Sequence, residues 1–522
     1  MGLFFYAYVM NFLGLRLCDH DSNITLTLDD KVHYYKTERD WQIKHYGYED
    51  LTTWIKAFDK WNIPLSRIDA IGIVVDCYRY KSITYDENEV FEEIEIPLFR
   101  LLGFRGKIYR VDHHYAHALS VWPLGVKPDI DFIFDGYGDN ELSHTIMEGD
   151  KRRVAVTYNT HPSFGSTMGD VGAILKLPGM SHDMAGKVMA LKAYGSHSPE
   201  ELSAMKAKYK TEDLTIADIR EMWNLWKLGN LVKLYSGGHD RTGAESDKVV
   251  DHIQYAHSVT EDIYEKYFVT NTNETDVISY SGGIALNTII NSRIKRQRPN
   301  LHIPPHSNDE GLSLGVVEAL RREYRQPEFS NEGFPFWQSD YCPKHRPTKE
   351  VIKKTAEALA QGQIVGWYQG RGEVGPRALG NRSILMNPTI KDGKDIINAK
   401  VKHREPFRPF GASVLADKCS TYFDWEYDSP YMLYCMDVRD KESFTPITHA
   451  DGTCRPQTVT PDQEDYYELI TEFEKLTGIP MLLNTSLNNG GKPIVGHPSE
   501  ALQLLNETEM SALCVGNTLY TK

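Results

Sequence analysis

Apolar and polar residues fall into short blocks along the first third of the chain, and these blocks predict strands separated by turns. Residues 14–19, 24–28 and 32–36 read as three strands, the last two joined through the Asp29-Asp30 turn as a hairpin. Short, largely apolar runs at 71–75, 108–111 and 132–134 predict further buried strands. Apolar positions recurring every three or four residues predict helices near 51–61, 200–208, 249–270 and 311–325. Strands interspersed with helices, with glycine-rich turns at strand ends, imply an α/β fold. Residues 326–348 (QPEFSNEGFPFWQSDYCPKHRPT) show neither period and are rich in Pro, Gly and aromatics, so a domain boundary is expected there. Beyond it, a helix at 351–361 and a strand at 364–368 open a second α/β unit. No internal repeat and no low-complexity tract is legible.

Composition narrows the class. A chain of 522 residues exceeds one ordinary core, so two or three domains are expected. Hydrophobic and charged fractions of 41% and 25% are those of a soluble globular protein. A net charge of −14 excludes a protein that coats nucleic acid by bulk electrostatics, and leaves room for a local basic patch. The seven cysteines are scattered and never form a CxxC, which fits reduced thiols in a cytoplasm and offers no zinc-finger spacing. The opening MGLFFYAYVMNFLGLRL lacks a basic leader and a small-residue cleavage site, and its apolar run is too short for a bilayer. Tyr6 breaks the myristoylation pattern. A buried first strand with a short extension, and no membrane partner, is the expectation.

The chemistry begins at YRVDHHYAHALSVW (109–122). His113 and His117 stand at i and i+4, so a helix puts both rings on one face, as two ligands of one metal require; an ordinary polar face is the other reading. His114 points elsewhere. Asp135, closing the strand at FIFDGYGDN, and Asp309, at the loop-to-helix junction SNDEGLSLG, are available carboxylates. Two His and two Asp leave an open coordination position, as a Lewis-acid site needs.

Glycine turns come next. YSGGIALN carries Gly282, Gly283 and Asn287 from a strand into a helix, where amide groups can receive phosphate oxygens. DGYGDN offers Gly136 and Gly138, and AGKVMALKAYG offers Lys187. Each alone reads as a tight turn; together they point to a nucleotide. The densest signal is GRGEVGPRALGNRSIL, with Arg371, Arg377 and Arg382, followed by Lys402, His403, Arg404 and Arg408 in VKHREPFRPFG. Cations crowded on turns repel one another unless anions sit among them, and guanidinium forks match phosphate or carboxylate. LLNTSLNNGGKPIV adds Asn484, Ser486 and Asn488 after a strand. In NSRIKRQRPN, the residues Arg293, Lys295, Arg296 and Arg298 read either as a solvated helix face or as a group that steers a nucleotide or DNA phosphate.

HHYAHA, FDGYGDN, SGGIALN, NDEGLSLG, GRGEVGPRALGNRSIL, REPFRPFGASVL and LNTSLN occur in that order. Together they resemble the NodU/CmcH-type O-carbamoyltransferases, a family that includes the aminoglycoside carbamoyltransferases. The likeness runs from about Gly14 to the C-terminus. It implies an N-terminal domain (1–335) of the actin-like ATPase, ribonuclease H-like fold and a YrdC-like α/β domain (349–522). The second domain is then expected to convert carbamoyl phosphate and ATP, with its Mg2+, into carbamoyl adenylate. The first is expected to pass the carbamoyl group to a substrate hydroxyl.

By the same resemblance His113, His117, Asp135 and Asp309 hold Fe(II), although the ligand set equally suits zinc or manganese. His20 of CDHDSNITL is the expected base with Asp21 orienting it, and His114 is expected to assist. Gly136, Gly138, Lys187, Gly282, Gly283 and Asn287 are the expected adenylate contacts. Arg371, Arg377, Arg382, Lys402, Arg404, Arg408, Asn484, Ser486 and Asn488 are those for carbamoyl phosphate and ATP. Two departures stand out: Ala185 and Lys492 replace residues that are often acidic in the family. The acceptor is left open among sugars, natural products and a hydroxymethylpyrimidine nucleotide or DNA base, and a homodimer is possible on the same grounds. Threonylcarbamoyl transfer to tRNA, S-carbamoylation of a protein cysteine and a non-catalytic nucleotide sensor are the competing readings.

Overall fold

A computed structural model describes residues 9–17, 20–29, 31–47, 60–75, 89–157, 163–225, 227–229 and 244–522. Strands β1 (Phe12–Leu17), β2 (Asn23–Leu28) and β3 (Lys31–Lys36) form an antiparallel meander. β4 (Ala70–Val75) lies parallel to β1, β6 (Lys107–Val111) parallel to β4, and β5 (Phe91–Ile94) closes the edge antiparallel to β6. The resulting order is β3-β2-β1-β4-β6-β5. β4 is buried along its whole length and β1 from Phe12 to Arg16, which is why neither reads as an apolar–polar alternation.

The second sheet repeats this plan. β7 (Ile130–Phe134), β8 (Leu142–Glu148) and β9 (Lys151–Thr157) form another antiparallel meander, with β10 (Ile278–Ser281) parallel to β7 and β11 (Leu301–His302) parallel to β10. Its order, β11-β10-β7-β8-β9, repeats the core of the first sheet. The two copies share pairing order and not residues, so no sequence repeat announced them. The β8–β9 hairpin, turning at Gly149-Asp150, was absent from the sequence reading.

Helices α1 (His113–Leu119), α2 (Phe164–Ile174), α3 (Met184–Lys192), α4 (Ala244–Asn271), α5 (Thr288–Gln297) and α6 (Leu312–Glu323) cover these sheets. α6 packs on β1 at Gly14 and on β4 at Gly72: a side chain at Gly14 would meet the Ser313 carbonyl, and one at Gly72 the Val316 side chain. The expected helices at 249–270 and 311–325 correspond to α4 and α6, and that at 200–208 to Pro199–Lys208. Most of the helix expected at 51–61 falls outside the described residues, as do Asp30, Cys18 and Cys77.

The C-terminal part is built on seven strands: β12 (Val365–Tyr368), β13 (Arg382–Met386), β14 (Gly411–Leu415), β17 (Pro456–Val459), β18 (Met481–Ser486), β19 (Ala512–Val515) and β20 (Thr518–Thr521). They run in the order β17-β14-β18-β13-β12-β19-β20, beside a two-stranded ribbon of β15 (Met436–Asp437) and β16 (Thr453–Cys454). Helices α7 (Lys349–Ala360) and α8 (Glu464–Thr477) cover one face through Ile352, Leu359, Leu469 and Phe473, packed over Trp367. The whole is an α/β protein.

The expected boundary at 326–348 is a packed strap, not a loose connection. Trp337 is buried with Val32, Tyr34, Leu314 and Val374. Gln338 pairs with Tyr34 of β3 on one side and Gly372 on the other, so backbone hydrogen bonds run from the N-terminal sheet edge into the C-terminal part. Aromatics and prolines, read as loop signals, here fill a seam between two cores.

Candidate functional site

The site lies where strand ends of the two N-terminal sheets face each other, the usual place for ligands in open α/β sheets. β6 runs into Asp112, which caps α1 by accepting the Tyr115 N–H at 2.9 Å. Asp139 accepts the His113 N–H and an Arg110 guanidinium proton, each at 2.9 Å, and so fixes the first turn. From that turn His113 and His117 project on one face. Asp135 comes from just past β7, and Asp309 from the turn ahead of α6.

These four residues are all buried, with ligand atoms within 4.8 Å of one another. His113 Nε2 is 3.1 Å from Asp135 Oδ2 and 3.4 Å from Asp309 Oδ1. His117 Nε2 is 3.3 Å from Asp309 Oδ1 and 3.8 Å from Asp135 Oδ2. The outer oxygens are held away: Asp135 Oδ1 accepts the Gly283 N–H at 2.8 Å, and Asp309 Oδ2 is paired with Arg16. Two imidazole nitrogens and two carboxylate oxygens therefore converge, each carboxylate steadied from behind, and this donor set fits a divalent transition metal. Burial alone would depress the His113 pKa, but Asp309 and Asp135 outweigh it and raise it to about 10. Burial and Asp309 push Asp135 upward; hydrogen bonds from the His113 and His117 rings outweigh both and hold it well below the carboxylate range.

Beside the tetrad lies a second buried group. His20 Nδ1 is 3.2 Å from Asp21 Oδ2, and His20 Nε2 is 3.8 Å from Asp309 Oδ2. His45 Nδ1 is 3.0 Å from Asp21 Oδ1, and its Nε2 is 3.4 Å from Asp183. Asp21, Glu38 and His45 also approach like ligands. There, however, the Lys36 ammonium supplies the cation, 2.8 Å from Glu38 and 2.6 Å from Glu310.

The third group is cationic. Arg377, Arg404 and Arg455 have Nε atoms buried without a hydrogen-bond partner among the described residues. Burial, then Arg455 and Arg408, drive the Arg377 pKa well below its ordinary value; burial, then Arg408 and Arg455, do the same at Arg404. Lys402 is depressed by burial and by Arg404 and Arg408 while donating to the Ser486 carbonyl at 2.7 Å and Asn488 Oδ1 at 2.5 Å. Glu405, 3.6 Å from Arg408, is the carboxylate paired within this cluster, and it does not balance so many cations. Arg455 was missed in the sequence; its signal was an arginine set in the turn DGTCRP between two strands.

One cavity of about 750 Å³ joins these groups: His20, Asp21, Asp135 and Asp309 line it, and so do Arg377, Arg404, Arg408 and Arg455. Gly136, Gly283, Asn287, Lys402, Asn484, Ser486 and Asn488 line it too.

Other expected residues lie elsewhere or are already engaged within the protein. Arg382 is fully buried on the Tyr368 ring, pairs with Asp340 at 2.9 Å and donates to the Gly370 and Tyr341 carbonyls. Arg371 donates to the Trp337 and Gln338 carbonyls. Both clamp the strap rather than face the cavity. His114 is bonded to Thr145 at 2.6 Å and sits under Gly138, where a Cβ would come within 2.5 Å of its ring; burial, then His113, lower its pKa to about 3. It is a neutral packing group away from the cavity. Lys187 bridges to Glu405 at 2.6 Å. The Gly282 amide donates to the Ser307 carbonyl and that of Gly283 to Asp135, so neither is left for a phosphate. Asn287 caps α5 through Ile290 and bonds His257 at 3.0 Å.

The basic run on α5 is likewise occupied. Arg293 pairs with Asp262 at 2.7 Å and with Glu265, Lys295 donates to the Pro299 and Leu301 carbonyls, and Arg296 lies over Trp425. Arg298 donates to the Val269 and Thr272 carbonyls.

Residues 74–317 match the family described as Carbamoyltransferase N-terminus, and residues 356–522 the family described as Carbamoyltransferase C-terminus. The chain belongs to the carbamoyltransferase family. Nodulation protein NolO of Bradyrhizobium diazoefficiens is 31% identical to this carbamoyltransferase over 79% of each chain. The 3'-hydroxymethylcephem-O-carbamoyltransferase of Streptomyces clavuligerus is 29% identical over 83% of this chain and 84% of its own. An uncharacterized protein of Synechocystis sp. is 34% identical, over 50% of this chain and only 49% of its own length. Among solved structures, full-length HypF in its phosphate- and nucleotide-bound form aligns with 62% of this chain and 57% of its own at 11% identity. Its TM-score of 0.33 adds nothing to the argument. Family membership makes the carbamoyltransferase a transferase; its acceptor is not given by these relatives.

Proposed function

We propose that the protein is an ATP-dependent O-carbamoyltransferase that makes carbamoyl adenylate in its C-terminal part and spends it in its N-terminal part. The observation that carries this reading is a cavity lined both by Asp135 and Asp309 of the metal-ligating tetrad and by Arg377, Arg404 and Arg455, whose Nε atoms find no partner among the described residues. The repeated meanders support an actin-like N-terminal domain, and the YrdC-like assignment of the C-terminal part rests on the sequence resemblance.

Carbamate is a poor acyl donor because nitrogen and oxygen both feed electrons to its carbon. Adenylation supplies the leaving group. Carbamoyl phosphate and water give carbamate and phosphate; a carbamate oxygen then attacks the α-phosphorus of ATP, and pyrophosphate leaves. Arg377, Arg404, Arg408, Arg455 and Lys402 surround the space where those polyanions would meet, and a bound polyanion would offset their mutual repulsion.

In the N-terminal part the acceptor hydroxyl attacks the carbamoyl carbon, and AMP departs with the electron pair of the broken C–O bond. Asp21 holds His20 by Nδ1, which leaves Nε2 to take the hydroxyl proton. His113, His117, Asp135 and Asp309 would hold Fe(II), or another divalent metal, whose chemistry there is Lewis-acid polarisation. Burial of the tetrad keeps bulk water from it.

The acceptor is proposed to be a hydroxyl on a small molecule rather than on DNA, since Arg293 and Lys295 are paired within the protein and Arg296, though exposed, lies over Trp425. The cavity argues against the nucleotide-sensor reading, because a sensor has no use for a metal tetrad beside its anion site. A cytoplasmic location and a homodimer belong to the same proposal. Purified protein with Fe(II), ATP and carbamoyl phosphate should yield AMP and pyrophosphate; ATP left intact in the presence of carbamoyl phosphate would sink it.

A further inference from the structure

The pair His20 and Asp21 does not stand alone, and its support comes from a loop the reaction scheme does not otherwise use. Asp21 sits at φ 50°, a left-handed backbone that non-glycine residues rarely keep without a reason. Facing it, His45 is held in the same region at φ 54°. The His45 amide is tied to Glu38 Oε2 at 2.9 Å, so the ring is anchored from its own backbone.

Both nitrogens of that ring meet carboxylates. Nδ1 lies 3.0 and 3.1 Å from the two Asp21 oxygens, and Nε2 lies 3.4 Å from Asp183 Oδ1. A carboxylate only accepts, so a ring between two of them has to donate from both nitrogens. Asp183 is itself paired with Lys44 and belongs to the loop between α2 and α3. The preceding residue, His182, lies against the His20 ring at 4.1 Å between centroids. One loop therefore braces both members of the pair.

We infer that His45 is a positioning residue: held as an imidazolium between Asp183 and Asp21, it keeps Asp21 ionised and oriented. Asp21 in turn fixes His20 as the Nδ1–H tautomer, against the weaker pull of Asp309 Oδ2, which lies 3.8 Å from Nε2. This rests on the reading of His20 as base, and it adds the two residues that decide whether the base is in the right tautomer. A carboxylate left without its cation would drift toward Lys36, 3.7 Å from Asp21 Oδ1, and away from His20. His45 itself touches no reacting atom. The electrostatics agree: burial disfavours the charged ring, but the Asp21 charge and the Asp183 hydrogen bond raise His45 to about 10.

Ring 15N–1H correlation spectra of histidine-labelled protein, metal-free and zinc-loaded at pH 8, read this directly, with His20 and His45 assigned from single variants. The expected result is His45 protonated on both nitrogens and His20 on Nδ1 alone. In His45→Gln and Asp183→Asn, the His20 pattern should move to a tautomer mixture. In His45→Gln, AMP release with water as acceptor should fall about tenfold or more at unchanged KM for carbamoyl phosphate. A neutral His45 in the wild type, or a His20 pattern indifferent to both variants, overturns the inference. Carbamoyl-phosphate-dependent pyrophosphate exchange into ATP, measured on the wild type, tests the parent reading separately. Its absence would defeat adenylate formation without altering what the spectra say about His45.

Discussion

Asp135 accepts the Gly283 amide proton on Oδ1 at 2.8 Å while its Oδ2 faces His113 at 3.1 Å. One carboxylate thus ties the metal-ligating tetrad to the glycine turn after β10. A Cβ at Gly283 would stand 2.9 Å from Oδ1, so Gly283→Ala crowds that oxygen and turns the carboxylate off axis. Metal affinity should drop by about 10- to 100-fold, as for other losses of outer support. Equilibrium titration with zinc or manganese, beside an unchanged far-UV spectrum, is the check.

Arg16 does for Asp309 what Gly283 does for Asp135. Arg16→Met leaves a buried oxygen without its cation, and removing one partner of a buried pair costs about 3–5 kcal/mol. The metal-free variant should melt earlier, and metal should restore part of the loss. His113→Ala and Asp309→Ala should lose the metal itself by elemental analysis; retention in both would refute the ligand assignment.

The cationic cluster predicts the opposite sign of effect. Arg377 is buried beside Arg455 and Arg408 without a counter-anion, so Arg377→Met should raise the melting temperature of the ligand-free protein. A ligand at a hundredfold excess over its Kd stabilises by about 2.7 kcal/mol. Pyrophosphate or ATP should give a shift of that order in the wild type and a clearly smaller one in the variant. Melts with and without pyrophosphate decide it.

His45 makes a prediction in pH. Its folded pKa, raised to about 10, exceeds the ordinary histidine value of 6.5, so the folded state binds the extra proton between the two. Stability from this source is complete below about 6.5 and is lost as pH rises through about 10. Melting temperature should fall from pH 7 to 10, and the fall should be shallower in His45→Gln. Equal slopes would remove His45 from the account.

Arg293 offers a test of acceptor class. Because it is paired with Asp262 and Glu265, Arg293→Ala should lower stability and leave retention on duplex DNA near zero in both proteins. Binding to DNA that weakens steeply with salt and vanishes in the variant would reopen a DNA acceptor.

What could be read from the sequence was whatever depends on local pattern. β1, β4, β6 and β7 announced themselves as apolar blocks, and His113 and His117 by a spacing that α1 converts into one face. Asp135 and Asp309 were nameable because they end strands or open helices. What stayed hidden depends on long-range pairing. Arg371 and Arg382 look like Arg377 in sequence, yet they hold the strap while Arg377 faces the cavity. His45 and Asp183 carry no motif, because their meaning lies in Asp21, 24 residues from His45 in sequence. The Gly282 and Gly283 amides looked free because nothing local says that Ser307 and Asp135 take them.

The doubled meander has a consequence of its own. Asp21 lies in the turn between β1 and β2, and Asp135 directly after Phe134 at the end of β7. The pairing plan is repeated, while the chemistry is one-handed: the turn after β1 supplies Asp21, which braces a base, and the turn after β7 supplies Asp135 of the tetrad. Neither copy alone contains a reaction centre. The chamber draws its lining from both unlike copies and from the C-terminal part, in the way a lock and its strike plate share one bolt.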